Sequence, residues 1–152
     1  MPKIDFAALP FVARGGYPPP HDKLVAGRSR KRLGDEAGLT QFGVNLTRLP
    51  PGVHSSLRHW HENQDEFVYV LEGELTLVEN EGETILAAGD AAGFKAGVAN
   101  GHHLVNRSDR DAVYLEIGTR AKRERAHYSD VDLAVAKDET GVHYSRKDGA
   151  PL

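Results

Sequence analysis

Short runs of alternating apolar and polar residues, separated by turn residues, dominate the middle of this sequence. Successive side chains of a strand point to opposite faces, so such runs are typical of strands with one buried face. Seven runs of this kind lie at residues 42–49, 66–71, 75–79, 84–87, 91–94, 104–106 and 112–117. Turn-forming residues such as Pro50-Pro51-Gly52 separate them. Many short strands with frequent turns predict an all-β sandwich or barrel.

The composition divides the chain into three zones. Residues 1–40 are rich in proline and glycine and are predicted to form an irregular arm that packs on the barrel, with a short strand at 22–25. Residues 41–118 carry the strand signals and form the predicted barrel. Residues 119–152 are polar and charged, which predicts an irregular extension with a strand or helical turn at 131–135.

Histidine is abundant in this chain and cysteine is absent. The 152 residues, a length that suits one domain, include eight histidines and no cysteine. The absence of cysteine excludes disulfide frameworks, thiolate zinc sites, iron–sulfur clusters and cysteine nucleophiles. A metal bound by this chain must therefore be held through imidazole and oxygen ligands.

The charge pattern argues against nucleic-acid and membrane partners. The formal net charge is −3, and acidic residues directly follow the basic run at residues 28–32. We therefore expect that run to be solvated or to bind an acidic neighbour.

The first residues lack a signal-peptide pattern, and no apolar run approaches the roughly 18 residues that cross a bilayer. A cytoplasmic location is the resulting expectation.

His59 and His61 form the first pattern that carries chemistry. On a strand, residues two apart share a face, so both imidazoles point the same way and can bind one ion. Glu66 opens the next strand on the face of Val68 and Val70, which predicts that its carboxylate points inward. A buried carboxylate is costly unless it is paired or binds a metal, so this register favours a ligand.

At this point the sequence resembles the first motif of the cupin superfamily. The spacing is Gly52, six residues, His59-x-His61, four residues, Glu66, six residues and Gly73. The gap after the first glycine is one residue longer than the family's usual five. The remaining spacing agrees with the family pattern.

A second stretch resembles the second cupin motif, at Gly89, Gly97, His102 and Asn106. The two glycines are eight residues apart, as in the family. Two departures are present: Lys95 stands where the family commonly has proline, and four residues instead of two separate Gly97 from the histidine. The resemblance covers about residues 41–118.

The resemblance implies a jelly-roll barrel, or double-stranded β-helix, with a divalent metal at its mouth. The implied ligands are His59, His61, Glu66 and His102. His102 is preferred to His103 because it keeps the family's spacing to Asn106 and shares a face with that residue. His103 remains the alternative.

Three imidazoles and one carboxylate suit Fe, Mn, Zn, Ni or Cu, and no sequence feature selects among these metals. Ligand imidazoles also need hydrogen-bond acceptors to set their tautomer, and Gln41, Asn45 and Asn106 are the candidates.

The resemblance implies action on a small polar organic molecule by isomerase, lyase or dioxygenase chemistry. A non-catalytic module that binds or senses a small molecule is the alternative.

Two further patterns leave alternatives open. Tyr114 and Glu116 alternate with Val113 and Leu115, so one of these pairs faces the cavity, and the sequence does not say which. On the predicted strand at 66–71, the outward face is apolar, which predicts burial against the terminal arms or a second subunit. A homodimer is also the common habit of the family.

Overall fold

The computed structural model describes residues 3–13 and 16–152 of the chain. A 3₁₀-helix lies at His21–Val25, and α1, a single turn, lies at Leu33–Glu36. The strands described are Ser29–Lys31 (β1), Phe42–Leu49 (β2), His59–His61 (β3), Glu66–Glu72 (β4), Glu74–Glu79 (β5), Gly82–Ala87 (β6), Ala91–Phe94 (β7), His103–Val105 (β8), Ala112–Thr119 (β9), Glu124–Tyr128 (β10), Ala134–Asp138 (β11) and Gly141–Ser145 (β12).

These strands form three antiparallel sheets that enclose a barrel. The largest has the order β1-β2-β9-β4-β7, and the others have the orders β12-β11-β10-β3 and β6-β5-β8. An isolated bridge between His59 and His102 joins the two smaller sheets. The main core contains Val68, Leu75 and Tyr114 among its buried members, so it lies between the large sheet and β5. The prediction of an all-β jelly-roll barrel is confirmed.

Strand β4 shows how the sequence pattern sets the two faces of the large sheet. Val68 and Val70 are buried, whereas Phe67, Tyr69 and Leu71 are 42%, 37% and 41% exposed. The described parts of the terminal arms therefore do not bury this apolar face. Its other predicted cover, a second subunit, stays a prediction. In residues 3–13 and 16–152 no helix has the length and apolar character needed to cross a membrane.

Two local predictions for the terminal zones are wrong. Residues 22–25 lie in a 3₁₀-helix rather than a strand. The zone after residue 119 is not irregular, because it contains β10, β11 and β12. In β10 the buried positions are Glu124, Ala126 and Tyr128, and Tyr128 packs with Leu133 in a second small core. The charged Glu124 at an inward position masks the alternation, and tertiary packing decides the outcome.

Gly73 closes the tight connection between β4 and β5. Its φ is +76°, and a Cβ there would lie 2.8 Å from the carbonyl oxygen of Asp111 and 3.0 Å from the Cα of Ala112. Gly52 has a similar φ of +80°, but nothing lies within 4 Å of its Cβ position. Backbone conformation restricts both positions, and close packing restricts only Gly73.

These two glycines provide a matched test of the turn geometry. We expect Gly52→Ala to lower the free energy of unfolding by about 1–2 kcal/mol, the cost of a left-handed conformation. Gly73→Ala should cost about 3 kcal/mol or more, because overpacking adds to the same backbone cost. Urea unfolding of both variants measures the difference. Equal losses would contradict a packing role for Gly73.

Asn106 acts as a structural clamp at the end of β8. Its side chain is fully buried, and its Nδ2 donates to the carbonyl oxygens of Leu49 and Arg110, at 2.7 and 2.8 Å. Its Oδ1 accepts from the backbone N–H and the hydroxyl of Ser108. The side chain therefore ties the turn at 106–110 to the end of β2.

We predict that Asn106→Ala lowers the free energy of unfolding by about 2–4 kcal/mol, because buried carbonyl groups lose their donors. Ser108→Ala removes a half-exposed member of the same network and should cost less than about 1 kcal/mol. Chemical unfolding measures both values. A loss of bound metal from folded Asn106→Ala protein, with stability unchanged, would contradict the structural role.

Candidate metal centre

Three strands bring imidazole and carboxylate groups together at one end of the barrel. His59 and His61 occupy the two ends of β3, on one face of the strand. Glu66 is the first residue of β4 and lies on the inward face that continues to Val68. His102 directly precedes β8, and its backbone pairs with that of His59. Strand pairing therefore places all four side chains around one point.

The distances among these groups suit a shared ion. Nε2 of His59 lies 3.1 Å from Nε2 of His61, and the latter lies 3.4 Å from Oε1 of Glu66. Nε2 of His102 lies 2.9 Å from Oε2 of Glu66. One ligand atom from each of His59, His61 and Glu66 falls within 4.8 Å of the others, so these three form a group that could hold a metal. His102 adjoins that group through Glu66.

Backbone carbonyls set the tautomer of two of the imidazoles. Nδ1 of His59 lies 2.7 Å from the carbonyl oxygen of Leu57, and Nδ1 of His102 lies 3.0 Å from that of Asn100. A carbonyl oxygen only accepts, so each Nδ1 donates a hydrogen and each Nε2 keeps its lone pair. Both lone pairs point to the shared centre, as metal binding requires.

A buried carboxylate lies behind the third imidazole. Nδ1 of His61 has no hydrogen-bond partner among residues 3–13 and 16–152, and it lies 3.5 Å from Oε1 of Glu124. Glu124 itself accepts from the backbone N–H groups of Glu62 and Asn63, which turn the chain after β3. A carboxylate in this position can accept the Nδ1 proton of a metal-binding imidazole and fix its orientation.

The donor set calls for a cation between Glu66 and the imidazoles. In the neutral tautomer whose Nδ1 donates to Asn100, Nε2 of His102 carries a lone pair 2.9 Å from the Glu66 oxygen, so one cation can bind both atoms. Burial lowers the pKa of His59 to about 4, so this imidazole is neutral at pH 7. Burial alone would raise the pKa of Glu66, but contacts with His102 and His61 outweigh it and hold that pKa well below the usual value. A neutral His59 imidazole beside an ionised Glu66 carboxylate offers ligand types that suit a divalent transition metal.

A cavity of about 310 Å³ opens next to these ligand groups. The ring of Phe94 covers one side of His102, stacked at a centroid distance of 3.6 Å and an interplanar angle of 3°. Gly118 pairs with Glu66, and Gly43 pairs with Gly118. Because glycine has no side chain, this row of the large sheet leaves space beside Glu66.

A second polar group lines the same cavity, on the next row of the sheet. Glu116 receives two hydrogen bonds from Arg30, one from Nδ2 of Asn45 at 3.3 Å and one from the hydroxyl of Tyr114 at 3.3 Å. Glu116 pairs with Val68, which makes it a diagonal neighbour of Glu66. Such neighbours are roughly 7 Å apart at Cβ. The cavity therefore separates the metal-ligand group from a second carboxylate.

The structure answers one question that the sequence left open, namely which residues of β9 face the cavity. Tyr114 and Glu116, rather than Val113 and Leu115, line the cavity. Nδ1 of His103 bonds the carbonyl oxygen of Ser56 at 3.0 Å, so this ring is held away from the Glu66 contact that His102 makes.

Some of the functional side chains were missed or misplaced by the sequence patterns. Within the described residues, no site histidine is hydrogen-bonded to any of the predicted acceptors, which were Gln41, Asn45 and Asn106. Backbone carbonyls and Glu124 lie next to the Nδ1 atoms instead. Arg28 and Arg30 line the cavity, and Arg30 binds an acidic neighbour, Glu116, which is one of the two outcomes expected for this basic run. Arg28 directly precedes β1 and Arg30 lies on it, and their spacing of two residues was the signal that could have placed them on one face.

Comparisons with known proteins agree with this geometry. A family model described as the Cupin domain matches residues 45–118. A sugar phosphate isomerase from a cupin superfamily, from Silicibacter pomeroyi DSS-3, is 50% identical, with 99% of this chain and 96% of that chain covered and a TM-score of 0.96. No curated protein matches the chain.

Two further solved structures share the fold at lower identity. A protein of Acidithiobacillus ferrooxidans, provisionally named a sugar phosphate isomerase, is 29% identical over 82% of this chain and 80% of its own, with a TM-score of 0.76. A predicted oxalate decarboxylase of Thermotoga maritima is 26% identical over 62% of this chain and 81% of its own, with a TM-score of 0.54. Similar barrels therefore carry names from more than one reaction class.

The ligand set His59, His61, Glu66 and His102 stays a prediction that metal analysis can test. Protein purified without added metal or nickel affinity should carry one divalent metal per chain. We expect His61→Ala and His102→Ala to lose that metal, because each removes a nitrogen that faces Glu66.

Two histidines outside the centre provide matched controls. His103→Ala and His127→Ala remove the same side chain and should retain the metal, with far-ultraviolet circular dichroism confirming the β fold of every variant. Elemental analysis gives the readout. Stoichiometric metal in His61→Ala, or in His102→Ala, would contradict the corresponding ligand.

Proposed function

Because the chain belongs to the cupin superfamily, we propose that it is a metal-dependent isomerase that acts on a small phosphorylated sugar. The observation that carries the proposal is one cavity with a metal-ligand group at one side and Glu116 at the other. The 50% identity to the Silicibacter pomeroyi sugar phosphate isomerase extends over nearly the whole chain and supports the choice of isomerase chemistry.

Interconversion of an aldose and a ketose requires a proton to move between two adjacent carbons. A divalent metal in the centre would supply Lewis acidity, which polarises a carbonyl and makes the neighbouring carbon more acidic. His59, His61, Glu66 and His102 would hold that metal. The remaining task, to accept the proton at one carbon and return it at the next, belongs to a base across the cavity.

Glu116 is our proposed base. Within the described residues, the carboxylates that line this cavity are those of Glu66 and Glu116, and Glu66 is committed to the ligand group. Arg30 and Asn45 fix the position of the Glu116 carboxylate, and Tyr114 donates a hydrogen bond to its Oε2. Burial raises the pKa of Tyr114 well above its usual value, so this hydroxyl remains a donor.

The shape of the cavity supports a substrate of monosaccharide size or smaller. Its volume of about 310 Å³ lies at the lower end of small-molecule sites. Phe94 and Val68 contribute apolar surface beside the polar groups, which excludes water from part of the substrate. Exclusion of water protects a reactive intermediate and strengthens the electrostatic contacts within the site.

The test is an isomerisation assay with a panel of aldose and ketose phosphates, on protein reconstituted with Fe(II), Mn, Zn, Ni or Cu. We expect exchange of substrate hydrogen with deuterated solvent in wild type. Glu116→Gln should reduce kcat by about 10²–10⁴-fold, the usual contribution of a general base, with metal content unchanged. Glu83→Gln, at an exposed ion pair with Arg107, is the matched control and should leave kcat unaltered.

Two results would contradict this function. Tight binding of sugar phosphates without turnover under every metal would make the chain a binding module rather than an isomerase. Isomerisation that Glu116→Gln leaves intact would retain the reaction but overturn the assignment of the base.

A further inference from the structure

Arg28 is a second cationic side chain at the cavity, beside Arg30. It is half-buried, and its Nη1 donates to the carbonyl oxygen of Ser55. Among residues 3–13 and 16–152, no carboxylate lies within ion-pair distance of its guanidinium group, in contrast to Arg30, which is paired with Glu116. The positive charge of Arg30 is thus paired with a carboxylate in direct contact, whereas Arg28 interacts with Glu116 only at longer range.

A half-buried charge that has no carboxylate in direct contact is costly. Arginine remains protonated in proteins, so this cost cannot be relieved by loss of the proton. Burial, and after it the neighbouring charge of Arg30, lowers the pKa of Arg28. An anion that entered the cavity would offset both the cost of burying this charge and its repulsion by Arg30. The arrangement is therefore one that a negatively charged ligand stabilises.

The position of Arg28 also defines where such a ligand would lie. Arg28 and Arg30 are two residues apart at the start of β1, and both line the cavity that contains His59 and Glu66. Tyr17 lines it as well, and its hydroxyl oxygen accepts from the backbone N–H of Leu57 at 3.2 Å. Burial raises the pKa of Tyr17, so the hydroxyl keeps a proton that it can donate.

Guanidinium chemistry indicates the kind of anion. The planar guanidinium group offers several N–H donors in a fixed fork, which matches two oxygens of a phosphate or carboxylate. One of these nitrogens is engaged with Ser55, and the described residues provide no other acceptor for the rest. A phosphate monoester offers three oxygens and a charge that one arginine partly offsets.

We infer that Arg28 is the residue that binds the phosphate of the substrate, with the sugar carbons extending from it towards the metal-ligand group. This inference rests on the proposed function, since it assigns the anionic end of that substrate to a specific side chain. It makes Arg28 the determinant of selectivity for phosphorylated over neutral sugars. The sequence pattern places this residue in a basic run, where its separate role is hidden.

The probe for this site is inorganic phosphate, titrated calorimetrically into wild type, Arg28→Met and Arg28→Lys. We expect Arg28→Met to weaken phosphate binding at least tenfold. Arg28→Lys, which keeps the charge but loses the fork, should weaken it several-fold. Arg107→Met removes an exposed arginine outside the cavity and is the matched control, with binding as in wild type.

Phosphate can also bind to the metal, so each titration is run on protein as purified and on protein treated with a chelator. The part of the affinity that depends on Arg28 should persist after chelation. Thermal unfolding checks that each variant is folded, and Arg28→Lys, which can still donate to Ser55, serves if Arg28→Met does not fold. In the isomerisation assay, Arg28→Met should raise KM for phosphorylated substrate with metal content unchanged.

The inference and the proposed function fail in different ways. Wild type that does not bind phosphate at millimolar concentrations, or Arg28→Met and Arg28→Lys that bind it as wild type does, would overturn the role of Arg28 even if isomerisation is observed. Phosphate binding that depends on Arg28, together with no isomerisation of any sugar phosphate, would support the anion site and overturn the isomerase.

Discussion

The Glu66 carboxylate and the imidazole nitrogens around it are held close together by strands that are themselves fixed by the barrel. Oε2 of Glu66 lies 2.9 Å from Nε2 of His102 and 3.9 Å from Nε2 of His59. Backbone carbonyls occupy the far side of both rings, so the rings cannot turn away without losing a hydrogen bond. The geometry is therefore preorganised for a cation, and the cost of assembling the ligands is met by folding rather than by metal binding.

The polar groups of the cavity lie on successive rows of the inner face of the large sheet. Glu66 lies on one row with two glycines, and Glu116 lies on the next row with Asn45. Because side chains repeat every two residues along a strand, the carboxylates of Glu66 and Glu116 lie one row apart, which leaves room for a small molecule between them. Arg30 neutralises the charge of Glu116. A barrel of this kind can change its reaction through a few inward positions without any change to its core, which is consistent with the different names of its structural relatives.

Sequence patterns predicted the strands whose alternating apolar residues all lie on one buried face. On β4 the alternation of Glu66, Val68 and Val70 with exposed aromatic and aliphatic residues identified both the strand and the inward carboxylate. The same argument failed for β10, where a buried glutamate occupies an inward position and charge conceals the pattern. The burial of Glu124 is explained only by its tertiary contacts, because His61 and the turn after β3 lie around its carboxylate. Arg28 was missed because composition grouped it with solvated neighbours, although their alternation carried the information.

The pairing of β3 with β10 has a consequence for the order in which this protein matures. Strand β3 ends at residue 61, but its antiparallel partner begins only at residue 124. His59 and His61 are therefore synthesised long before the strand that fixes their direction emerges from the ribosome. Glu124, which stands behind His61, arrives equally late. The geometry of the candidate centre therefore depends on a strand that lies far downstream of His59 and His61 in the chain.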